Sequence, residues 1–250
     1  MAIKNYRIEK YRKRSDWLNA RCIGSTDLAK LVNKVARWGN FIELYDKLVG
    51  TDEEEIKENI YMARGKRAEE PIKELFLITH PNLKRINTKN SLWLIRRKDY
   101  PEITLSPDTL VNDEKGKLGY IEIKYKQITN ERQINPYLLE LKETEPQYYW
   151  QNVHHFVNME DCEFGYLVVA FDLQRKNENT GLWEHDKYII EFIKITREIV
   201  SEDIKIGEEA LIDFIVNNLR PRKRPKTILK GTKGDNIEWN KLSSIHKLKK

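Results

Sequence analysis

The sequence predicts a mixed α/β fold, with a central β-sheet of mixed strand direction flanked by helices. Three observations carry the prediction. Short runs rich in β-branched and aromatic residues, at 92–98, 102–106, 118–126, 163–172 and 186–194, read as strands. Around them lie segments with apolar residues at helical spacing, at about 26–36, 41–49, 65–76, 145–157 and 200–219. With 250 residues and 40% hydrophobic content the chain can bury one substantial core, and no internal repeat divides it.

Taken in order, the first twenty residues hold a basic run, Lys10, Arg12, Lys13 and Arg14, beside Tyr6 and Tyr11, and open a mainly helical N-terminal part. In WLNARCIGSTDLAKLV, Gly24, Ser25, Thr26 and Asp27 form an N-terminal cap for the helix at 26–36. Free amides and hydroxyls at such a cap can receive a phosphate, and Arg21 can grip two of its oxygens. A plain helix cap beside a surface arginine is the competing reading. Residues 51–60 are acidic and read as an approach to the next helix, GKRAEEPIKELF, in which Ala68, Ile72, Leu75 and Phe76 keep helical spacing. Gly65 enters that helix and Glu69 sits one turn in. Glu70 points about 100° away from Glu69, so one of the two serves a given site.

The stretch from Ile103 to Lys124 holds the densest chemical signal. Ile103 to Ser106 is β-rich, Asn112, Asp113, Lys115 and Gly116 supply turn chemistry, and LGYIEIKYK alternates Tyr120, Glu122 and Lys124 with Ile121 and Ile123. Successive strand side chains point to opposite faces, so Glu122 and Lys124 share one. Folded as a hairpin or a closely related pair, the two runs bring Asp108 near Glu122. A carboxylate pair so placed can hold Mg²⁺, which takes one or two carboxylates together with waters and substrate phosphate. Such an ion polarises a phosphodiester and lowers the pKa of water, while Lys124 orients that water or balances charge on the phosphate. In a chain with 34% charged residues, Glu122 and Lys124 also read as the solvent face of an amphipathic strand.

In TEPQYYWQNVHHFVNM, Tyr149, Val153 and Phe156 make an apolar stripe, and Gln151 either flanks it or reaches a site. The strands at 163–172 and 186–194 and the amphipathic helix at 200–219 complete the sheet and its cover. Beyond Leu219, RPRKRPKTILKGTKGDN clusters five basic residues around prolines, and residues 220–250 read as an extended basic arm that contacts a polyanion or serves as a solubilising tail.

Pro107, Asp108, Glu122, Ile123 and Lys124 together resemble the PD-(D/E)XK nuclease signature. With Gly65 and Glu69 ahead of them, the Ser106-Pro107-Asp108 turn, and Tyr148-x-x-Gln151 behind, the chain resembles the phage lambda exonuclease and YqaJ family of viral recombination nucleases. Trp17-x-x-x-Arg21 and ELYDKLVG at 43–50 agree with it, and the matched blocks span roughly residues 17–157. The resemblance implies a restriction-endonuclease-like core in one nuclease domain, residues 1–219. It implies Asp108 and Glu122 as metal ligands, helped by the Ile123 backbone carbonyl, and Glu69 reaching the metal directly or through water. Lys124 becomes the catalytic lysine, Gln151 reaches the active site, and Arg21, Ser25 and Thr26 contact phosphate at the DNA end. Mg²⁺ is the implied cofactor, with Mn²⁺ substituting, and double-stranded DNA ends, digested from the 5′ terminus, are the implied substrate. A trimeric ring and a single-strand annealing protein are the implied assembly and partner. Thr109 departs from the family's usual glycine, and the turn between Arg21 and Thr26 is shorter than in the lambda enzyme. An endonuclease with the same centre and an inactive DNA-binding protein are the rival readings.

Composition excludes other classes more firmly than it selects this one. Forty-five basic against 39 acidic residues give +6, which suits a polyanion without requiring one. Cys22 and Cys162 are too few for an iron–sulfur cluster and fit a reducing compartment. Neither a signal peptide nor an apolar stretch of about 18 residues is present, so a soluble protein of the (host) cytoplasm with no membrane role is expected. The five histidines offer no HExxH pattern, and His154 and His155 are expected to be structural or surface residues. GTKGDN at 231–236 lacks P-loop spacing, so no ATP use is expected. Trp38 and Trp183, in polar surroundings, either stack on bases or pack in a core or interface.

Overall fold

The computed structural model describes residues 4–33, 35–36, 39–49, 60–86 and 92–219. The acidic segment at 51–59, Trp38 and the basic arm at 220–250, with its GTKGDN stretch, lie outside the described residues. In chain order the elements are β1 (Tyr6–Tyr11), α1 (Arg14–Ala20), α2 (Leu28–Val32), β2 (Val35–Ala36), β3 (Gly39–Asn40), α3 (Phe41–Val49), α4 (Ile60–Thr79), β4 (Lys84–Arg85), β5 (Leu92–Arg97), β6 (Thr104–Leu105), β7 (Thr109–Asn112) and β8 (Leu118–Ile128). There follow α5 (Ile134–Leu139), α6 (Leu141–Thr144), α7 (Pro146–Asn158), β9 (Cys162–Lys176), β10 (Trp183–Thr196) and α8 (Ser201–Phe214), which ends in a π-helical turn, Ile215–Leu219.

The main sheet has the order β10-β9-β8-β7-β4. Strands β8 and β9 are parallel and the other neighbours antiparallel, so the sheet is mixed, as predicted. Parallel neighbours need a long crossover; α5, α6 and α7 provide it and return the chain across the sheet. The alternation in β8 then divides two layers. Ile121 and Ile123 pack with Ile72 and Phe76 of α4 on one face, while Tyr120 packs with Trp150, Val153 and Phe156 of α7 on the other. The Tyr120 ring lies against Gly165 so closely that a side chain there would collide with it. A smaller antiparallel sheet, β1-β5-β6, sits beside this core.

Several local expectations change. The N-terminal part is not wholly helical: Tyr6–Tyr11 form a strand in which Tyr6 is buried and Glu9 accepts from Arg96 across the ladder to β5, so the basic run starts in that strand at Lys10 and ends at Arg14, the first residue of α1. The helix expected at 26–36 stops at Val32, and Val35–Ala36 pairs with Gly39–Asn40, where Gly39 takes φ 118°, a conformation glycine adopts without steric cost. The run at 102–106 is not the strand that pairs with β8. Only Thr104–Leu105 is extended, and it pairs with β5 in the smaller sheet. The partner of β8 is β7, which begins just after Asp108; the turn residues are as expected, with Asp113 accepting from the Lys115 and Lys117 amides and Gly116 at φ 76°. Gly65 lies inside α4 rather than at its start, and Pro71 is also internal.

Candidate active site

Strand β7 leaves β8 at the pair Thr109 and Ile121. From Glu122 to Ile128, β8 keeps β9 on one side and has no described strand on the other. Asp108 stands at this open edge and accepts from the Ile123 amide at 2.7 Å. The N–H and C=O of one strand residue point to the same edge, so the Ile123 carbonyl faces the side on which Asp108 stands.

Glu122 is buried at 3% exposure and would be intolerable there without partners. Lys124 donates to its Oε1 at 2.6 Å, and Gln151 donates to the same oxygen from α7. Its Oε2 lies 3.3 Å from His155 Nε2. His155 Nδ1 donates to the Gln151 carbonyl at 2.6 Å, and its ring stacks on Tyr120 with centroids 4.1 Å apart. Tyr120 in turn donates to Asn152 Oδ1 at 2.9 Å. The amphipathic-strand reading is therefore replaced: Glu122 points into a buried polar network, and Gln151 is part of it.

Electrostatics follow from this packing. Burial pushes the Asp108 carboxyl well above the usual carboxylate range, and the charges of Glu122 and Glu69 push it further. Burial would also raise Glu122, but Lys124 and His155 outweigh it and hold the carboxyl at about 2. Burial acts to lower Lys124, yet Glu122 and Asp108 prevail and raise it, so its ammonium stays charged. It lies 5.2 Å from the Tyr148 ring centroid.

Glu69 acts on Asp108 through its charge and is paired with Lys73 at 3.3 Å. Glu70 is bound by Lys73 and by Arg85, each at 2.9 Å. Arg21 keeps an exposed surface and lies 4.8 Å from the Trp17 ring centroid; desolvation lowers its pKa, while the charges of Asp27 and Glu122 raise it. Ser25 is buried and Thr26 exposed, and no described contact joins either to the acids. The expected cap is altered: Asp27 stands at the start of α2 without a side-chain cap bond, and its carboxylate accepts from the Gly24 amide.

Sequence reasoning missed two members. His155 was expected to be structural or on the surface, but its position one turn beyond Gln151 puts it on the same helix face. Lys73, 3% exposed, is three and four residues beyond Glu70 and Glu69, the spacing of a helical ion pair.

Among the described residues no three His, Cys, Asp or Glu side chains gather closely enough to hold a metal ion, so Glu69 does not complete a triad with Asp108 and Glu122. The donor set still fits Mg²⁺. Two carboxylates suffice when water and phosphate supply the rest, and Gln151 Oε1 is a buried oxygen without a hydrogen-bond partner. Cys22 and Cys162 are free thiols. No described helix is long and apolar enough to cross a membrane.

A mixed sheet with an acid before one strand, an acid-x-lysine on the next and a helical glutamine closing on the acid is the arrangement that the PD-(D/E)XK resemblance implies. The sequence model of the YqaJ-like viral recombinase domain matches residues 16–162, more than half of the chain, and the chain belongs to that family. It is a phosphodiester-cleaving enzyme of the phage type. The fold is similar to that of an alkaline exonuclease from Laribacter hongkongensis, at 17% identity and TM-score 0.53, covering 93% of this chain and 98% of that one. The same enzyme in complex with dAMP matches at 16% identity and TM-score 0.52, with the same coverage. A phage-related exonuclease from Haemophilus somnus 129PT is similar at 16% identity and TM-score 0.44, over 80% of this chain and 97% of that one. No curated protein matches the chain significantly.

Proposed function

We propose that the protein is a Mg²⁺-dependent exonuclease that digests one strand of linear double-stranded DNA from its 5′ end in phage-type recombination, with residues 1–219 as its nuclease domain. The observation that carries this is the convergence of Asp108, Glu122, Lys124 and Gln151 at the open edge of β8. The dAMP held by the structurally similar exonuclease supports a deoxynucleotide product. Asp108, Glu122 and the Ile123 carbonyl would hold the ion, with Glu69 reaching it through water and Mn²⁺ able to replace Mg²⁺. When bound, the ion supplies Lewis acidity toward the scissile phosphate.

The protein's own groups do the rest. Gln151 and His155 fix the Glu122 carboxylate, so one ligand arrives preorganised. Lys124, kept charged by its two acidic neighbours, offsets negative charge developing on the phosphate and orients the attacking water. Arg21, held over Trp17 and within the field of Glu122, would grip the terminal 5′ phosphate. A trimeric ring, an annealing partner and a cytoplasmic site of action belong to the same reading.

The test compares end-labelled linear duplex with covalently closed circles, with and without Mg²⁺. Linear DNA should be digested only with the ion and circles should survive. Asp108→Ala and Lys124→Ala should each lower the rate about a hundredfold or more. Cutting of the closed circle would replace the exonuclease with an endonuclease, and full activity in both variants would remove the assigned roles.

A further inference from the structure

The face of β8 turned away from Glu122 and Lys124 borders a second feature, a cleft of about 960 Å³ between α4 and β8–β10. That is near the upper end of the roughly 300–1,000 Å³ typical of ligand pockets. Its floor carries Asp172, buried at 3% exposure, which accepts from Tyr125, from Gln127 at 3.4 Å and from His185 Nδ1 at 2.6 Å. These three donors satisfy the buried carboxylate and hold the two rings in place. The walls bear Trp183 and Tyr188, 55% and 58% exposed, and the His185 ring leans on Tyr188 with centroids 4.3 Å apart. Arg64 and Arg67 line the α4 side, and neither forms an ion pair with a described carboxylate. The other acid of the lining, Glu184, accepts from Asn177.

We propose that this cleft binds single-stranded DNA, with bases stacked on Trp183 and Tyr188 and phosphates held by Arg64 and Arg67. Aromatic platforms with arginines along a groove are what a strand of unspecified sequence requires, because every base has a π-face. Two exposed aromatic faces across from two arginines without a described carboxylate partner, and continuity with the active site, select this ligand over a protein. The unpaired edge of β8 belongs to both regions, Lys124 and Tyr125 being consecutive and facing opposite sides of the strand, and Glu69 lies on α4 between the lining residues Ala68 and Pro71. The proposal rests on the exonuclease reading, since digestion of one strand is what leaves its complement single and beside this edge.

The test is fluorescence anisotropy of labelled oligothymidylate with the full chain in EDTA. Trp183→Ala and Tyr188→Ala should each weaken binding about tenfold, and Tyr188→Phe should restore it. Arg64→Ala and Arg67→Ala should each reduce the slope of log affinity against log salt by about 0.7, which the aromatic variants should leave unchanged. Wild-type affinity and slope in all four alanine variants would overturn the proposal and give the cleft to a protein partner, even if duplex digestion proceeds. If the variants lose oligothymidylate but the wild type digests no duplex with Mg²⁺, the cleft stands and the exonuclease reading falls.

Discussion

Helix α7 buries ten of its 13 residues, among them Gln147, Gln151, Asn152, His154, His155 and Asn158, whereas α4, on the other side of β8, leaves Arg64, Arg67 and Glu74 in solvent. The burden on α7 is visible. Both ring nitrogens of His154 and both polar side-chain atoms of Asn158 lack partners, and burial holds the His154 imidazole down at about 3. A fold selected for stability alone would fill such positions with apolar residues. Part of what α7 gains is a fixed Glu122, gripped by Gln151 and His155 as well as by Lys124. Helix α4 offers its acid differently: Glu69 is half-buried and tied to one lysine, free to adjust when a ligand arrives. One side of the site is thus preorganised and the other adaptable.

The sharpest way to break this contrast is to loosen the rigid side. His155→Ala removes the group facing Glu122 Oε2 and the ring stacked on Tyr120. Residues that orient metal ligands typically matter by 10–100-fold, so the rate should fall by about that factor, with the Mg²⁺ concentration needed for half-maximal rate rising in step. An unchanged Mg²⁺ requirement alongside a lower thermal midpoint would reduce His155 to a packing residue.

The adaptable side predicts a split between neighbours. Glu70 is committed to Lys73 and Arg85, which hold its pKa down against the opposing effect of burial, while the charge of Glu69 acts on Asp108. Glu69→Gln should slow digestion about tenfold, the lower end of the range for groups that act on a metal through another ligand. Glu70→Gln should leave the rate within about twofold and lower stability modestly. The reverse pattern in single-turnover rates would transfer the helix role to Glu70.

These residues also show what the sequence made legible. Alternation in β8 and the turn ahead of it singled out Glu122, Lys124 and Asp108, whereas Glu69 and Gln151 were singled out by the family resemblance, helical spacing alone leaving Gln151 free to flank an apolar stripe. The mixed sheet followed from the order of strand and helix runs. What escaped depends on non-local pairing. Ile103–Ser106 looks like the partner of β8 by proximity in the chain, yet β5 takes Thr104–Leu105 and leaves β7 for the hairpin. His155 needs the Tyr120 ring beneath it and Glu122 in front of it, two facts that no helical spacing contains. The strand β1 was hidden by its basic residues, since an edge strand with one buried tyrosine shows little apolar alternation.

The smallest expected effect concerns stability, and it separates the two carboxylates of the proposed metal site. Asp108 has a raised pKa in the fold, so it contributes stability fully present below its unfolded value of about 3.9 and lost as pH rises through the folded value. Glu122 is the opposite case: its contribution is present above the unfolded value of about 4.3 and lost as pH falls toward about 2. At neutral pH without metal, then, the ionisation of Asp108 favours the unfolded chain while ionised Glu122 supports the fold, and the two titrate as a pair. Asp108→Asn keeps an oxygen to accept from the Ile123 amide and removes that ionisation. The variant should be inactive yet more stable than the wild type by about 1 kcal/mol at pH 7 in urea unfolding. The gain should shrink as pH falls through the raised folded value and be lost by about pH 4, where the carboxyl is protonated in the unfolded chain as well, and Mg²⁺ should narrow it at pH 7 by stabilising the wild type alone. A variant less stable than the wild type at pH 7 in EDTA would mean that Asp108 is held as firmly as Glu122, and the distinction between a rigid and a strained ligand would fail.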